Sequence, residues 1–507
     1  MAGITATPPP SALEEVRALL AEGHFDVRGI CTRLEIPDIY GFQPISLGRQ
    51  AATVPEDLLD CLILLFMDGV AVDETIVDRH VSPSARTALE ETGLLDRLDD
   101  GRFHATVSLY PTRGLHLVSD SPTDPRTGGT RMLPADAVYP AVTEAARHFV
   151  LSLPPSPHGR FLELCSGTGI GALSAARTAD HAWAVDITER STRFAAFNAA
   201  LNGLDNVTTL QGDLYEPLAD LQFDTIVAHP PYMPSDDVSQ IYRDGGEDGE
   251  QVTRGILRGL DRHLAPGGRF HCTCMLTDRS GTELEERIRE MIGPSGDAFD
   301  LLFMPMSFVD SRKSLFDEAM RGRATLDETR RREALFRRLG IRNLAYCSFT
   351  LQRKTDDGPP ITLRRPRGSG TNGDAIAWLL DWELDSRTRL GPDELAALKP
   401  GASPHVRARS ELALREGLWH TVYISLEAAW PFPSSIRCAP WLAELVARCD
   451  GTREVSEHLA TLRAEGLVAA DAPFPGLLEM VRSLVSAGML VVDSHPQPPR
   501  PGDGVED

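Results

Sequence analysis

Three carboxylates and one histidine stand at or beside the ends of successive short apolar runs. Glu163 lies within Phe161–Leu164, just ahead of a Gly-rich turn of Cys165, Ser166, Gly167, Thr168 and Gly169. Asp186 ends the run His181–Val185, Asp213 follows Val207–Gln211, and His229, Pro230, Pro231 and Tyr232 follow Thr225–Ala228. Glycines between a strand and a helix supply unusual backbone angles and let a ligand approach the helix N-terminus. Gly167, Gly169 and Ala172 satisfy the loose pattern G-x-G-x-x-G/A, with Asp186 19 residues after Gly167, where an acid that binds ribose hydroxyls belongs. Glu163 suits the ammonium group of a methionine-like moiety and would repel a pyrophosphate. Asp213 is placed to accept a hydrogen bond from the exocyclic amine of adenine. His229 offers one donor and one acceptor nitrogen and can take up a proton near neutral pH.

Such residues converge only if their strands are adjacent and parallel, because ligands of open α/β sheets bind at the carboxyl ends of the strands. The pattern predicts strands at Arg160–Leu164, His181–Val185, Val207–Gln211, Thr225–Ala228, Gly268–Cys274, Phe299–Pro305 and Ala345–Gln352, with helices at Ile170–Arg177, Glu189–Leu201 and Gly249–His263 among them. The expected fold class is therefore α/β, a Rossmann-like core of seven strands. Ahead of it, helical periodicity at Ser11–Gly23, Pro55–Met67 and Pro83–Leu95, then alternation over Gly101–Leu109 and Leu115–Ser119, reads as helices with a hairpin, a winged-helix-like lobe. Gly368–Gly373 has linker composition, and the helical patterns from Ala375 to Ala487 predict a helical C-terminal domain. The expected organisation is a disordered start 1–10, a lobe 11–129, a core 130–366, a helical domain 374–494 and a disordered tail 495–507.

Taken together, the turn, the two aspartates and the H-P-P-Y run resemble the class I S-adenosylmethionine-dependent methyltransferases. Within them the likeness is to the N-P-P-Y branch that includes release-factor glutamine N5-methyltransferases and adenine-N6 methyltransferases. Tyr242, Arg243, Asp244, Gly245, Gly246, Asp248 and Gly249 resemble the segment that follows N-P-P-Y in the glutamine-modifying group. The resemblance implies that Glu163, Gly167, Thr168 and Gly169 hold the methionine part of the cofactor, Asp186 and Ile187 the ribose region, and Asp213 and Leu214 the adenine, with His229 beside them. It implies Pro230 and Tyr232 at the acceptor, with Tyr139 and Tyr242 as further substrate contacts. The departure is His229, which replaces the Asn whose carbonyl aims the acceptor nitrogen in the family. The replacement makes His229, with Tyr232, the catalytic candidate, a general base for an N or O nucleophile.

Composition bounds the partners. Among 507 residues, Lys+Arg 51 against Asp+Glu 73 gives a net charge of −22, which disfavours nucleic acid. The local exception is Ser311–Asn343, with ten Arg/Lys against five Asp/Glu. Eight scattered cysteines suit a reducing, cytoplasmic setting, without a metal-ligand framework or a membrane-spanning stretch. The expected function is methyl transfer to a small molecule or peptide side chain, as in natural-product biosynthesis. Two alternatives remain: methylation of RNA or a translation factor, and a catalytically silent cofactor-binding scaffold.

Overall fold

Amphipathic helices open the chain. In α1 (Pro10–Glu22), Leu13, Val16, Leu19 and Leu20 share one buried face, and Pro10 sits in the first turn, where its missing N–H costs nothing. Next come α2 (Val27–Leu34), α3 (Leu58–Leu62), which widens into a π-helical turn over Ile63–Met67, α4 (Glu74–His80) and α5 (Pro83–Glu91). β1 (Leu95–Arg97) pairs with β2 (Phe103–Ala105), and β3 (Ser108–Thr112) with β4 (Leu115–Ser119). The computed structural model describes residues 3–49, 54–235, 240–320 and 325–500, and divides into two compact units. One holds residues up to Leu301 together with Ser307–Thr362; the other holds Leu302–Met306 and the chain from Leu363.

The remainder of the first unit alternates strands and helices. After α6 (Glu144–Ser152) come β5 (Arg160–Leu164), α7 (Ile170–Ala175), β6 (His181–Asp186), α8 (Glu189–Leu201), β7 (Val207–Gln211), β8 (Phe223–Ala228), α9 (Gln251–His263), β9 (Leu264–Arg279), α10 (Leu284–Ile292), β10 (Phe299–Asp310), α11 (Ser311–Met320), α12 (Leu326–Arg338), β11 (Ile341–Arg353) and the short β12 (Thr362–Arg364). The sheet order is β12-β10-β11-β9-β8-β5-β6-β7. Pairing is parallel from β9 through β8, β5 and β6 to β7, and antiparallel between β11 and β9. Phe161, Leu162 and Leu164 of β5 are all buried, as a central strand covered on both faces requires. From β5 the chain builds outward through β6 and β7, then returns to place β8 on the other side of β5. That reversal is a topological switch point, where an open sheet leaves a crevice at its carboxyl edge.

One apolar cluster runs without a break from Ile4 through the helices and hairpins into α7 and α8. Asn198 of α8 is the polar fastener between the parts. Its amide donates to the Val118 carbonyl at 3.2 Å and to the Thr168 carbonyl at 2.9 Å, and its oxygen accepts the Val118 N–H at 2.7 Å. Asn202, one turn on, exchanges the same pair of bonds with His116.

In the second unit α13 (Gly373–Thr388), α14 (Pro392–Ala396), the two-residue β13 (Gly401–Ala402), β14 (Val406–Arg415), β15 (Leu418–Ala428), β16 (Ser434–Cys438), α15 (Pro440–Arg448), α16 (Val455–Ala464), α17 (Phe474–Ser486) and β17 (Leu490–Val491) follow in turn. Strands β14, β15 and β16 form an antiparallel sheet in that order, and β13 pairs with β17.

Several expectations need correction. The central sheet has eight strands rather than seven, because β12 adds to its edge. The residues expected to form a single hairpin divide between two, since Phe103–Ala105 turns back onto Leu95–Arg97. The C-terminal domain is not simply helical. Gly368–Gly373 is no boundary: it lies inside the second unit, where Thr371 donates to the Pro431 carbonyl and Asn372 caps α13. The start is packed from residue 3, with Ile4 buried and the Thr5 N–H donating to the Thr92 carbonyl. The stretch 495–500 is docked as well, His495 stacking on Trp378 and the Trp430 indole donating to the Pro498 carbonyl; residues 1–2 and 501–507 lie outside the described residues. Among the described residues no helix is long and apolar enough to cross a membrane.

Because Asn198 → Ala strands two carbonyls and an N–H in the interior, it is expected to cost about 2–4 kcal/mol of unfolding free energy. Urea denaturation checks this, and a loss below about 1 kcal/mol would show that Asn198 is not the fastener.

Candidate active site

The turn after β5 is shaped by backbone angles that place its atoms toward the sheet's carboxyl edge. Cys165 and Gly167 have φ of 54° and 50°, and a Cβ at Gly167 would meet nothing within 4 Å, so the backbone there faces open space. Gly169 has a different reason to be glycine. Its φ is 80°, and a Cβ would lie 2.6 Å from a Leu173 methyl and 3.1 Å from Ala195, so it permits close helix packing and is not part of the cavity wall.

Glu163 is buried, and its two oxygens accept the N–H groups of Gly171 at 3.0 Å and Ala172 at 2.9 Å, in the first turn of α7. Burial pushes its pKa up to about 8 against the downward pull of those donors. The α7 N-terminus, which elsewhere attracts a phosphate, thus already carries an acidic group. Asp186 sits at the end of β6 and accepts the Gly167 N–H at 3.0 Å and the Thr188 N–H at 3.1 Å. Its neighbour Ile187 is 54% exposed, an apolar side chain left uncovered beside the turn. Asp213 is exposed after β7, followed by Leu214 at φ 51°.

A single cavity of about 970 Å³ joins these groups to the end of β8. Glu163, Gly167, Thr168, Asp186, Ile187, Asp213, Leu214, His229, Pro230, Tyr232, Tyr139 and Tyr242 all line it, so every expected site residue except Gly169 reaches one space. Tyr139 and Tyr242 stack on each other with centroids 5.2 Å apart and planes 15° from parallel.

His229 lies 5.3 Å from the Phe149 ring in a stacked arrangement, and 5.8 Å from the Tyr232 ring. Its Nε2 is buried and has no hydrogen-bond partner among the described residues. Burial pushes its pKa down to about 4, so the imidazole is neutral at physiological pH. Burial also holds the Tyr232 phenol up at about 12, with the Tyr346 hydroxyl hydrogen-bonded to it.

The segment after the H-P-P-Y run is fitted to it by glycines. A Cβ at Gly245 would lie 2.7 Å from the Pro231 carbonyl oxygen, and one at Gly249 2.4 Å from that of Tyr232. Met233 and Arg243 bond through their backbones, and Gly245 donates back to Met233. Behind this segment the buried Glu250 accepts from the Thr277 N–H and hydroxyl and pairs with Arg287 and Arg279. A buried charge held by this many donors is fixed in place, and removing one partner costs more than the pair contributes.

Four contributors escaped the sequence reading. Phe149 comes from α6, some eighty positions before His229, and Tyr346 from β11; neither belongs to a local motif. Arg243 was read only as part of the Tyr242–Gly249 run, and its ion pair with Glu318 of α11 at 3.4 Å puts both in the cavity wall. The Arg-rich stretch is largely paired where described: Lys313 with Asp317, Arg337 with Glu333, Arg338 with Glu247 and Arg342 with Asp278. A proton-uptake test follows from the burial of His229. In an NMR titration its imidazole signals should stay constant above about pH 5 and move as pH falls toward about 4. An inflection between pH 6 and 7 would contradict the neutral assignment.

Residues 139–291 match the family model described as the methyltransferase small domain. The chain is 37% identical over 131 residues to a ribosomal protein uL3 glutamine methyltransferase of Bradyrhizobium diazoefficiens, covering 23% of this chain and 41% of the relative. It is 32% identical over 122 residues to a release factor glutamine methyltransferase of Thermodesulfovibrio yellowstonii, covering 22% and 44%. The chain thus spans less than half the length of these curated relatives. Among solved structures, a ribosomal protein L11 methylase from Lactobacillus delbrueckii subsp. bulgaricus is 19% identical, with a TM-score of 0.22 over 38% of this chain and 70% of that one.

Proposed function

We propose that this chain, whose residues 139–291 match the methyltransferase small domain, transfers a methyl group from S-adenosylmethionine to an N or O atom of a small molecule or a peptide side chain. The observation that carries the reading is the single cavity. It runs from Asp186, Ile187 and Asp213 to an unpartnered, buried His229 Nε2 beside Tyr232.

The residues fit the cofactor. Asp186 and Asp213 supply acceptors for ribose hydroxyls and an adenine amine, and Ile187 and Leu214 supply apolar surface for the purine. The open backbone at Gly167, with Glu163 and Thr168, borders the methionine end. An α7 N-terminus already capped by Glu163 argues against a dinucleotide pyrophosphate in the same turn. S-adenosylmethionine, when bound, supplies a methyl group activated by its sulfonium. The chain then has to hold the acceptor in line and exclude water, and orientation of this kind accounts for most of the rate in such transfers.

His229 is the residue suited to orient the acceptor. As a neutral ring, its Nε2 or the proton on it can complete one hydrogen bond to the incoming N–H or O–H group. A pKa near 4 leaves little drive for it to keep a proton, so alignment is the role its surroundings favour over the general base expected from its residue type. Tyr232, protonated at neutral pH, presents a flat face and a hydroxyl tied to Tyr346.

A second reading, methylation of a side-chain amide in a translation protein, draws on the printed names of the relatives and on the ability of neutral imidazole to replace an amide as hydrogen-bond partner. The two readings separate when the protein and labelled S-adenosylmethionine are incubated with cell extract. Label in small molecules or peptides supports the first, and label in ribosomal proteins or release factors supports the second. Calorimetry tests the shared premise: wild type should bind S-adenosylhomocysteine, and Asp186→Ala should weaken binding by about tenfold or more, the value of one good charged hydrogen bond. Equal binding by that variant would defeat the cofactor assignment. His229→Asn should keep measurable activity with an unchanged pH profile between pH 6 and 8, whereas loss of an acid-side limb present in the wild type would restore the base.

A further inference from the structure

A group of uncovered apolar side chains lies on the β14–β15 hairpin, far in sequence from the cavity. Leu412, Leu414, Leu418, Trp419 and Val422 are 47% to 68% exposed, although each is of a type normally found inside. Strand β14 pairs only with β15, so it is an edge strand offering ten residues of backbone for pairing.

Its sequence divides by alternation into two different faces. Val406, Ala408, Ser410, Leu412 and Leu414 form one, while Arg407, Arg409, Glu411, Ala413 and Arg415 form the other. The register with β15 places Ala428, Leu426, Ile424, Thr421 and Trp419 beside the first set. The irregularity at Glu411/Leu412 leaves Val422 of β15 as the extra residue, so β14 itself stays regular along its free edge. The apolar face is covered at one end, where Leu426 and Ala428 are buried, and bare at the other, around Leu412, Leu414 and Trp419.

We infer that two copies of this chain associate through β14, paired antiparallel about Ser410 to give a continuous six-stranded sheet. A two-fold axis there sets Arg409 opposite Glu411 of the second copy, twice. On the other face it sets Ala408 opposite Leu412 and Val406 opposite Leu414. The bare half of each arm lies beside the covered half of its mate, so the exposed leucines continue an apolar face instead of ending it. Registers centred one residue away each set like charges together: one on Glu411 opposes Glu411 to Glu411 and Arg407 to Arg415, and one on Arg409 opposes Arg409 to Arg409 although it sets Glu411 opposite Arg407. Within the chain, Arg409 lies 3.2 Å from Glu427, and Glu411 is hydrogen-bonded to Tyr423, which holds both charges on that face. Self-complementarity of one patch is what a two-fold interface requires.

Sedimentation velocity on the full chain tests this. The wild type should run at twice the 55.4 kDa chain mass at micromolar concentration. R409E alone and E411R alone should each weaken association by about tenfold or more, since each sets like charges opposite one another at both positions. Mixing the two variants should restore the dimer, because opposite charges then face each other at both positions. Circular dichroism on each variant separates loss of association from loss of fold, and the mixture serves as its own control. A wild type that stays monomeric to about 100 μM overturns the inference. So does a dimer that both single variants leave untouched, because its contact would lie elsewhere.

Discussion

A buried carboxylate must be surrounded by donors, and in this chain the arrangement of the site follows from where Glu163 finds them. Its two oxygens take the first N–H groups of α7, tying that helix to the strand that carries the residue. The turn between them is therefore short and bent, with three left-handed positions, Cys165, Gly167 and Gly169, within five residues. Such a turn leaves the Gly167 backbone facing the crevice and lets its N–H reach Asp186 on the next strand. The Glu163 side chain also occupies two of the N–H groups that a phosphate would claim at that helix start. One interaction thus fixes the geometry of the turn and limits what can bind there.

At the other end of the cavity the controlling quantity is desolvation. Phe149 lies on one side of His229 and Tyr232 on the other, and among the described residues its buried Nε2 has no partner. An imidazole so placed resists protonation, and the folded state's preference for the neutral ring is lost as pH falls from 6.5 toward about 4. The unpaired nitrogen is also a stored demand for a hydrogen bond, since a buried polar atom without a partner is costly. An acceptor bearing an N–H or O–H group would relieve that cost while being aligned. Residue type alone pointed to proton transfer; the surroundings shift the weight to orientation.

How much of this was legible in the sequence depended on how local the cause was. The parallel strands could be read because strands covered on both faces are apolar throughout, and all seven expected positions carry strands. That these residues border one cavity could be read because the turn, the two aspartates and the H-P-P-Y run each lie at a strand end, and strand ends converge by topology. Three things could not be read. The packing demand at Gly169, where a Cβ would meet Leu173 and Ala195, has no mark in the pattern, since a glycine's presence does not say which neighbours require it. Phe149 sets the character of His229 from another element. The hairpin β14–β15 is half uncovered, so burial leaves little mark on its distal residues, and the Arg-rich strand resembles a polar loop.

The charge of −22 also takes a more specific meaning. In the first unit the most deeply buried carboxylates are held: Glu250 by Arg254, Arg279, Arg287 and Thr277, and Asp120 by Arg190 and the Val138 N–H. The guanidinium groups of the Arg-rich helices are likewise spent on neighbouring acids, one of them, Arg338, on the segment that follows the H-P-P-Y run. An arginine already paired has less to offer a phosphate backbone, because counterion release requires unneutralised charge. These pairs are mostly exposed and contribute little to stability, but among the described residues they leave the basic stretch with less unneutralised charge than its composition suggests.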